Sequence, residues 1–259
     1  MADHIVDIPF ETYDSSVPDL LDRIDATSLF SDQTTILLKP NLVNDSPFPV
    51  TTSPDFCRPV IHYIQACSPA RIILAEGCGD AVLETGDIFR TLGFDRLAED
   101  TGIELLDLNH APLEKHDCPD NSIFPEFYLP EIAGQSFVVS LPVLKAHSLA
   151  DMTGTLKNMM GFAPPQHYSG GGFWKKAVFH ERMQASIIEL NRYILPDLTL
   201  MDASVGLSQY HLGGPACDPP VSRLIGGQDP FMVDQAAAGY LGLDPDRIPH
   251  ICQPLPLPG

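Results

Sequence analysis

Basic residues are scarce in this chain. Across 259 residues there are 15 lysines and arginines against 34 aspartates and glutamates, a formal net charge of −19. A field of that sign repels phosphate backbones and argues against a nucleic-acid partner. Long hydrophobic runs are missing too. No apolar run reaches the roughly 18–20 residues that cross a bilayer, so no membrane span is expected. The opening Met1-Ala2-Asp3-His4 shows neither a basic n-region nor an apolar h-region. A signal peptide is therefore not expected, and the expected location is cytoplasmic. Clustered cysteines are also missing. Cys57, Cys67, Cys78, Cys118, Cys217 and Cys252 form no C-x-x-C pair, so neither a zinc ribbon nor an iron–sulfur cluster is encoded by a local motif. Scattered thiols of this kind read as buried or incidental.

The chain does have enough apolar residues for one substantial core, 44% of the total, and it reads as a single domain over 1–259. Continuous β-rich runs at Thr35–Leu38, Arg71–Ala75, Ile103–Leu108, Ser136–Ser140, Leu198–Met201 and Val221–Ile225 alternate with helix-period segments. Those segments are Asp55–Gln65, Ile88–Glu99, Thr153–Met160, His180–Tyr193 and Pro230–Leu241. This alternation predicts an α/β fold with a mostly parallel sheet flanked by helices. The stretch from Asn109 to Gly134 is rich in Pro, Asp and His and weakly periodic, and reads as a small irregular excursion. The tail Gln253–Gly259 reads as a loose terminus.

Against the acidic background one stretch is basic. From Leu141 to His180 there are four of the six lysines (Lys145, Lys157, Lys175, Lys176), three histidines and a single acid, Asp151, a local charge of +3 against −22 elsewhere. Such an island fits the grip of a small anion. Polar groups also follow the predicted strands: Lys39 and Asn41, then Glu76, Gly77 and Gly79, then Lys145 and His147, then Asp202. In parallel sheets, loops and helix N-termini converge at the carboxyl ends of the strands, where ligands bind. Pro40 biases Lys39 toward extended backbone and holds its side chain at that rim. Lys145 and His147, two apart, point to one face of an extended segment. Thr153–Gly161 presents backbone N–H groups at a helix start, with Lys157 and Asn158 one turn in. Ser169–Gly172 followed by Phe173-Trp174-Lys175-Lys176 reads as a glycine-hinged flap. Gly213-Gly214-Pro215 reads as a loop whose backbone approaches the ligand at Gly214.

These residues together resemble a known family. Lys39-Pro40-Asn41-Leu42, Leu144-Lys145-Ala146-His147 and Gly154-Thr155-Leu156-Lys157-Asn158-Met159-Met160-Gly161 are similar to the domain-of-unknown-function family numbered 362. So are Met201-Asp202, Gly213-Gly214-Pro215, Asp229-Pro230-Phe231-Met232-Val233-Asp234 and Leu241-Gly242. The resemblance implies no activity. Many members are described as iron–sulfur-associated, and this chain departs from them in its unclustered cysteines. A distant architectural kinship with the lactate-racemase group is compatible with the pattern, and no residue singles it out.

The leading expectation is an enzyme for a small phosphorylated or carboxylated substrate. Lys39, Lys145 and Lys157 hold the anion, with Asn41, Asn158, Asp202 and Gly214 around it, while His147, His180 and Glu76 act in catalysis. Two alternatives stand beside it. One is a non-catalytic binder, a redox partner or cofactor carrier. The other is a metal-dependent hydrolase in which Glu76, His147, His180 and Asp202 hold a divalent ion. Oligomeric state is not encoded in any of these features.

Overall fold

Alternation along the apolar runs places successive side chains on opposite faces of a sheet, and both faces are covered. The computed structural model describes residues 5–252; the expectations for Met1–His4 and for Gln253–Gly259 fall outside them. In chain order the strands are β1 (Val6–Pro9), β2 (Thr35–Pro40), β3 (Arg71–Glu76), β4 (Glu104–Asp107), β5 (Leu113–Asp117), β6 (Glu126–Pro130), β7 (Phe137–Leu141), β8 (Val143–His147), β9 (Asp151–Thr153), β10 (Leu198–Leu207) and β11 (Arg223–Gly227). The α-helices are α1 (Tyr13–Arg23), α2 (Ala26–Phe30), α3 (Pro54–Cys67), α4 (Thr85–Leu92), α5 (Phe94–Thr101), α6 (Thr155–Asn158), α7 (Pro165–Tyr168), α8 (Met183–Leu190), α9 (Pro230–Tyr240) and α10 (Pro249–Cys252).

The main path of a nine-stranded sheet runs β1-β11-β10-β7-β2-β3-β4, with β8 beside β10 and β9 beside β8. β10, β7, β2, β3 and β4 are mutually parallel, and β8 continues the parallel set beside β10. β11, β1 and β9 add antiparallel edges. Ile36 and Leu38 of β2, Ile72 and Leu74 of β3, and Val139 of β7 pack with Phe56, Val60 and Ile64 of α3 on one face. Leu37, Ile73, Ala75 and Val138 face the other way, against Leu156, Met159, Phe162 and Ile187. Each such Val, Leu, Ile, Phe or Met side chain, when fully buried, contributes roughly 1.5–3 kcal/mol. Burial on both faces is why these strands read as unbroken apolar runs rather than alternating ones.

Several boundaries differ from expectation for local reasons. The helix expected over Ile88–Glu99 is split, because Gly93 takes a left-handed φ of 82° between α4 and α5. The helix expected from His180 begins only at Met183, and His180 closes a short 3-10 turn, Ala177–His180. Thr153–Met160 yields one turn of α-helix and then a 3-10 turn, Met159–Phe162. The excursion at 109–134 contains a regular antiparallel hairpin, β5 with β6. The Glu189 carboxylate pins the loop between those strands, accepting from the N–H groups of Ser122, Ile123 and Phe124 at 2.7–2.8 Å. Lys145 and His147, expected on a segment after a strand, lie on a buried strand of their own, β8. No helix among the described residues is long and apolar enough to cross a membrane.

Candidate functional site

A cavity of about 250 Å³ opens where β2 and β3 end, between β8, the α6 turn and the Tyr210–Leu212 loop. Its base is a buried ion pair. Lys39 Nζ lies 2.7 Å from Glu76 Oε2, both side chains out of solvent. The ammonium also donates to the Pro40 carbonyl at 2.9 Å and to Asn158 Oδ1 at 3.3 Å. The Glu76 carboxylate accepts from Leu42 N at 3.0 Å and Gly77 N at 2.8 Å. Both ions are therefore spent on protein partners. Burial lowers the Lys39 pKa, with Glu76 opposing that shift. Gly161 sits against the pair: a Cβ there would fall 2.2 Å from both Glu76 Oε1 and Lys39 Cε. The glycine that closes the Leu-Lys-Asn-x-x-Gly run thus makes room for the ion pair.

The other lysines divide in the same way. Lys145, buried, donates to Asn41 Oδ1 at 2.6 Å and to the Val50 carbonyl at 2.5 Å. Lys176, also buried, donates to Asn109 Oδ1 at 3.1 Å and to the carbonyls of Gly161 and Ala163. Lys175 is held by the carbonyls of Asp80 and Leu83 at 3.1 and 2.6 Å. These ammonium groups tie loops together through oxygens of the chain. Lys157 differs: it lines the cavity, and no hydrogen bond or ion pair engages its ammonium among the described residues. Burial lowers Lys157 to about 8. Burial first, and then the Lys157 charge, lowers Lys145 to about 7. Burial likewise lowers Lys176 to about 7.

The helix start expected to receive an anion already holds one. The buried Asp234 carboxylate of α9 accepts from Thr155 N at 2.7 Å and Leu156 N at 3.0 Å. Gly154 leaves space for it, since a Cβ there would lie 2.4 Å from Asp234 Oδ1. Burial raises Asp234 to about 6 in spite of the two N–H donors. The Gly-Thr-Leu turn is thus clamped by a distant aspartate, and the clamp sets the position of Lys157 one turn on.

Histidines form one wall. His147 Nδ1 accepts from Leu149 N at 3.1 Å and Ala150 N at 3.2 Å. Its single proton is therefore assigned to Nε2. The ring stacks on His211 with centroids 3.9 Å apart. Burial, and then the Lys157 charge, push both imidazoles well below the usual histidine range, His211 to about 3. With Nδ1 occupied by two backbone N–H groups and the ring kept neutral by burial, His147 has its Nε2–H left as the free donor. His180 is exposed at the mouth, its Nδ1 3.3 Å from the Ala177 carbonyl. If that nitrogen carries the proton, the Nε2 lone pair is left to accept one.

Lys39, Asn41, Glu76, His147, Lys157, Asn158 and His180 all line this cavity, and Lys145 supports it through Asn41. Asp202 does not line it. The expected strand end at Met201 runs on to Leu207, which leaves Asp202 fully buried in mid-strand. There it accepts from the Tyr13 hydroxyl at 2.6 Å. Gly214 is also absent from the lining. It closes a tight turn in which a Cβ would meet Tyr210 N at 2.7 Å. Glu76, His147, His180 and Asp202 therefore do not gather as ligands of one ion. Among the described residues, the three ligating groups that do lie within 4.8 Å of one another are Glu84, Asp107 and His110, outside this cavity and largely exposed. All six cysteines are free thiols. The sequence pattern does not point to Tyr210 and His211; their one local signal is a Tyr-His-Leu run directly before Gly213-Gly214, three residues past the end of β10.

The fold and the cavity define an α/β protein with a lysine- and histidine-lined pocket at the carboxyl ends of parallel strands. The profile of the family described as domain of unknown function (DUF362) matches residues 36–239, and the chain belongs to that family. No curated protein matches it. Among solved structures, the lactate racemase apoprotein from Thermoanaerobacterium thermosaccharolyticum is similar, with a TM-score of 0.53 and 11% sequence identity. The similarity covers 90% of this chain and 55% of that one, so this chain spans just over half the other's length. At that identity the likeness concerns the fold.

Proposed function

We propose that this protein is an enzyme acting on a small anionic substrate, phosphorylated or carboxylated, bound in the Lys157 cavity. One observation carries the reading: Lys157 brings an ammonium that no described residue hydrogen-bonds or pairs into a concave site, while the neighbouring lysines are engaged by carbonyl, amide or carboxylate oxygens. Removing a charge from water without a partner is costly, and a ligand oxygen supplies the missing partner. The imidazoles add directional chemistry. His147, held as the Nε2–H tautomer by two backbone N–H groups, donates a hydrogen bond to a substrate oxygen. His180, at the mouth, moves the proton. Glu76 acts on Lys39 and the Leu42 and Gly77 backbone, and so positions the pocket base.

Calorimetric titration with inorganic phosphate and with acetate tests the reading. Lys157→Met is expected to lower affinity for the bound anion at least tenfold without unfolding the protein, since it breaks no hydrogen bond or ion pair among the described residues and keeps an apolar stem of similar length. Unchanged affinity in Lys157→Met removes the proposed role.

A further inference from the structure

Apolar side chains left in water are ordinary when scattered and informative when gathered. Among the described residues six large hydrophobic side chains are exposed: Val82, Leu149, Phe173, Trp174, Tyr210 and Tyr240. Three of them line the Lys157 cavity, Leu149 at 48%, Trp174 at 43% and Tyr210 at 45% exposure. Phe173 packs edge-on against Trp174, ring centroids 5.3 Å apart. The deeper lining adds charge and hydrogen-bonding groups, buried Lys39, His147 and Asn158 and the partly buried Lys157, beside the apolar Leu42 and Met183. The site therefore grades from a cationic, hydrogen-bonding interior to an aromatic mouth.

We infer that the substrate class is an aryl anion, a carboxylate or phosphate joined to a planar ring, with the anionic head on Lys157 and the ring between Trp174 and Tyr210. This rests on the anion reading above and narrows it. Size agrees. A cavity of about 150 Å³ holds benzene, so 250 Å³ leaves room for one ring and its head group. Aromatic side chains favour such a ring through offset or edge-on packing. Trp174 is steadied by its chain neighbours, because Lys175 and Lys176 are tied to carbonyls of the surrounding loops. The Gly-rich segment before it thus delivers an indole to the mouth, while its lysines serve as anchors.

The experiment compares phenyl phosphate with inorganic phosphate by calorimetry, with benzyl alcohol as the uncharged ring. The wild-type chain is expected to bind phenyl phosphate at least tenfold more tightly than phosphate. Trp174→Ala and Tyr210→Ala, both at exposed positions, are expected to bring that ratio toward one while leaving phosphate affinity nearly unchanged. A wild-type ratio near one, or a ratio unmoved in both variants, overturns the aryl inference and leaves the anion reading in place. Benzyl alcohol binding as well as phenyl phosphate, with no phosphate binding, overturns the anion reading and with it the aryl anion.

Discussion

At the scale of single residues, the lysines separate by what their ammonium groups touch. Lys39 is a structural cation. Removing it leaves the Glu76 carboxylate buried with two backbone donors and no counter-charge. Breaking one side of such a pair typically costs about 3–5 kcal/mol, whereas replacing both partners costs far less. Lys39→Met is therefore expected to lose stability on that scale in urea denaturation, and the double variant Lys39→Met/Glu76→Gln to recover much of it. Equal losses in the single and double variants would mean that the pair is not the unit. Lys157 is the opposite case, since its removal breaks no hydrogen bond or ion pair among the described residues.

At the scale of elements, the short α6 turn would be marginal alone, because so few residues cannot offset the cost of helix nucleation. Asp234 from α9 supplies what the turn lacks, a fixed carboxylate on its first free N–H groups. Asp234→Ala leaves those buried donors unpaired, and loss of such charge-assisted bonds is expected to cost about 3 kcal/mol. Hydrogen exchange provides the check: the amides of Thr155 and Leu156 should lose protection first, ahead of β2 and β3. Uniform loss across the sheet would place Asp234 in global stability only. Glu189 serves the β5–β6 connection in the same manner, so two carboxylates distant in sequence each hold a segment that has little periodicity of its own.

At the scale of the whole molecule, several cations converge on one cavity in a chain that is otherwise strongly acidic. Folding lowers Lys145 and Lys176 to about 7 and Lys157 to about 8, from 10.5. Between about pH 7 and pH 9 the unfolded chain therefore binds more protons than the folded one, and stability rises with pH. Toward the top of that window the buried Cys57, and above it Tyr13, both raised chiefly by burial, begin to work against the trend. Thermal unfolding in high salt, which screens the net negative charge, should show Tm climbing from pH 7 to pH 9. A bound anion favours the protonated lysines, so phosphate should flatten the climb in the wild type. A Tm that falls across this window would contradict the clustered, depressed lysines.

How much of this was legible beforehand follows from where the information sits. The strands β2, β3 and β7 announce themselves because both faces are buried, and that demands unbroken apolar runs. The rim position of Lys39, Glu76 and His147 follows from the parallel order those runs imply. The roles of the polar groups do not. Whether Lys145 grips a ligand or the Val50 carbonyl depends on a loop ninety-five residues away in sequence. Whether the Thr155 N–H receives an anion or Asp234 depends on α9. Asp202 looked like a rim group because its apolar run ends at Met201, yet β10 continues through polar residues that find partners in Tyr13 and Ser204. The sequence by itself determined the α/β sheet, its buried strands and the strand ends where Lys39, Glu76 and His147 meet, because burial is written in local hydrophobicity. Only the tertiary structure decided which lysine has no partner among the described residues, which histidine nitrogen carries the proton and which aromatics frame the mouth, because hydrogen-bond partners are supplied by segments that meet only in the fold.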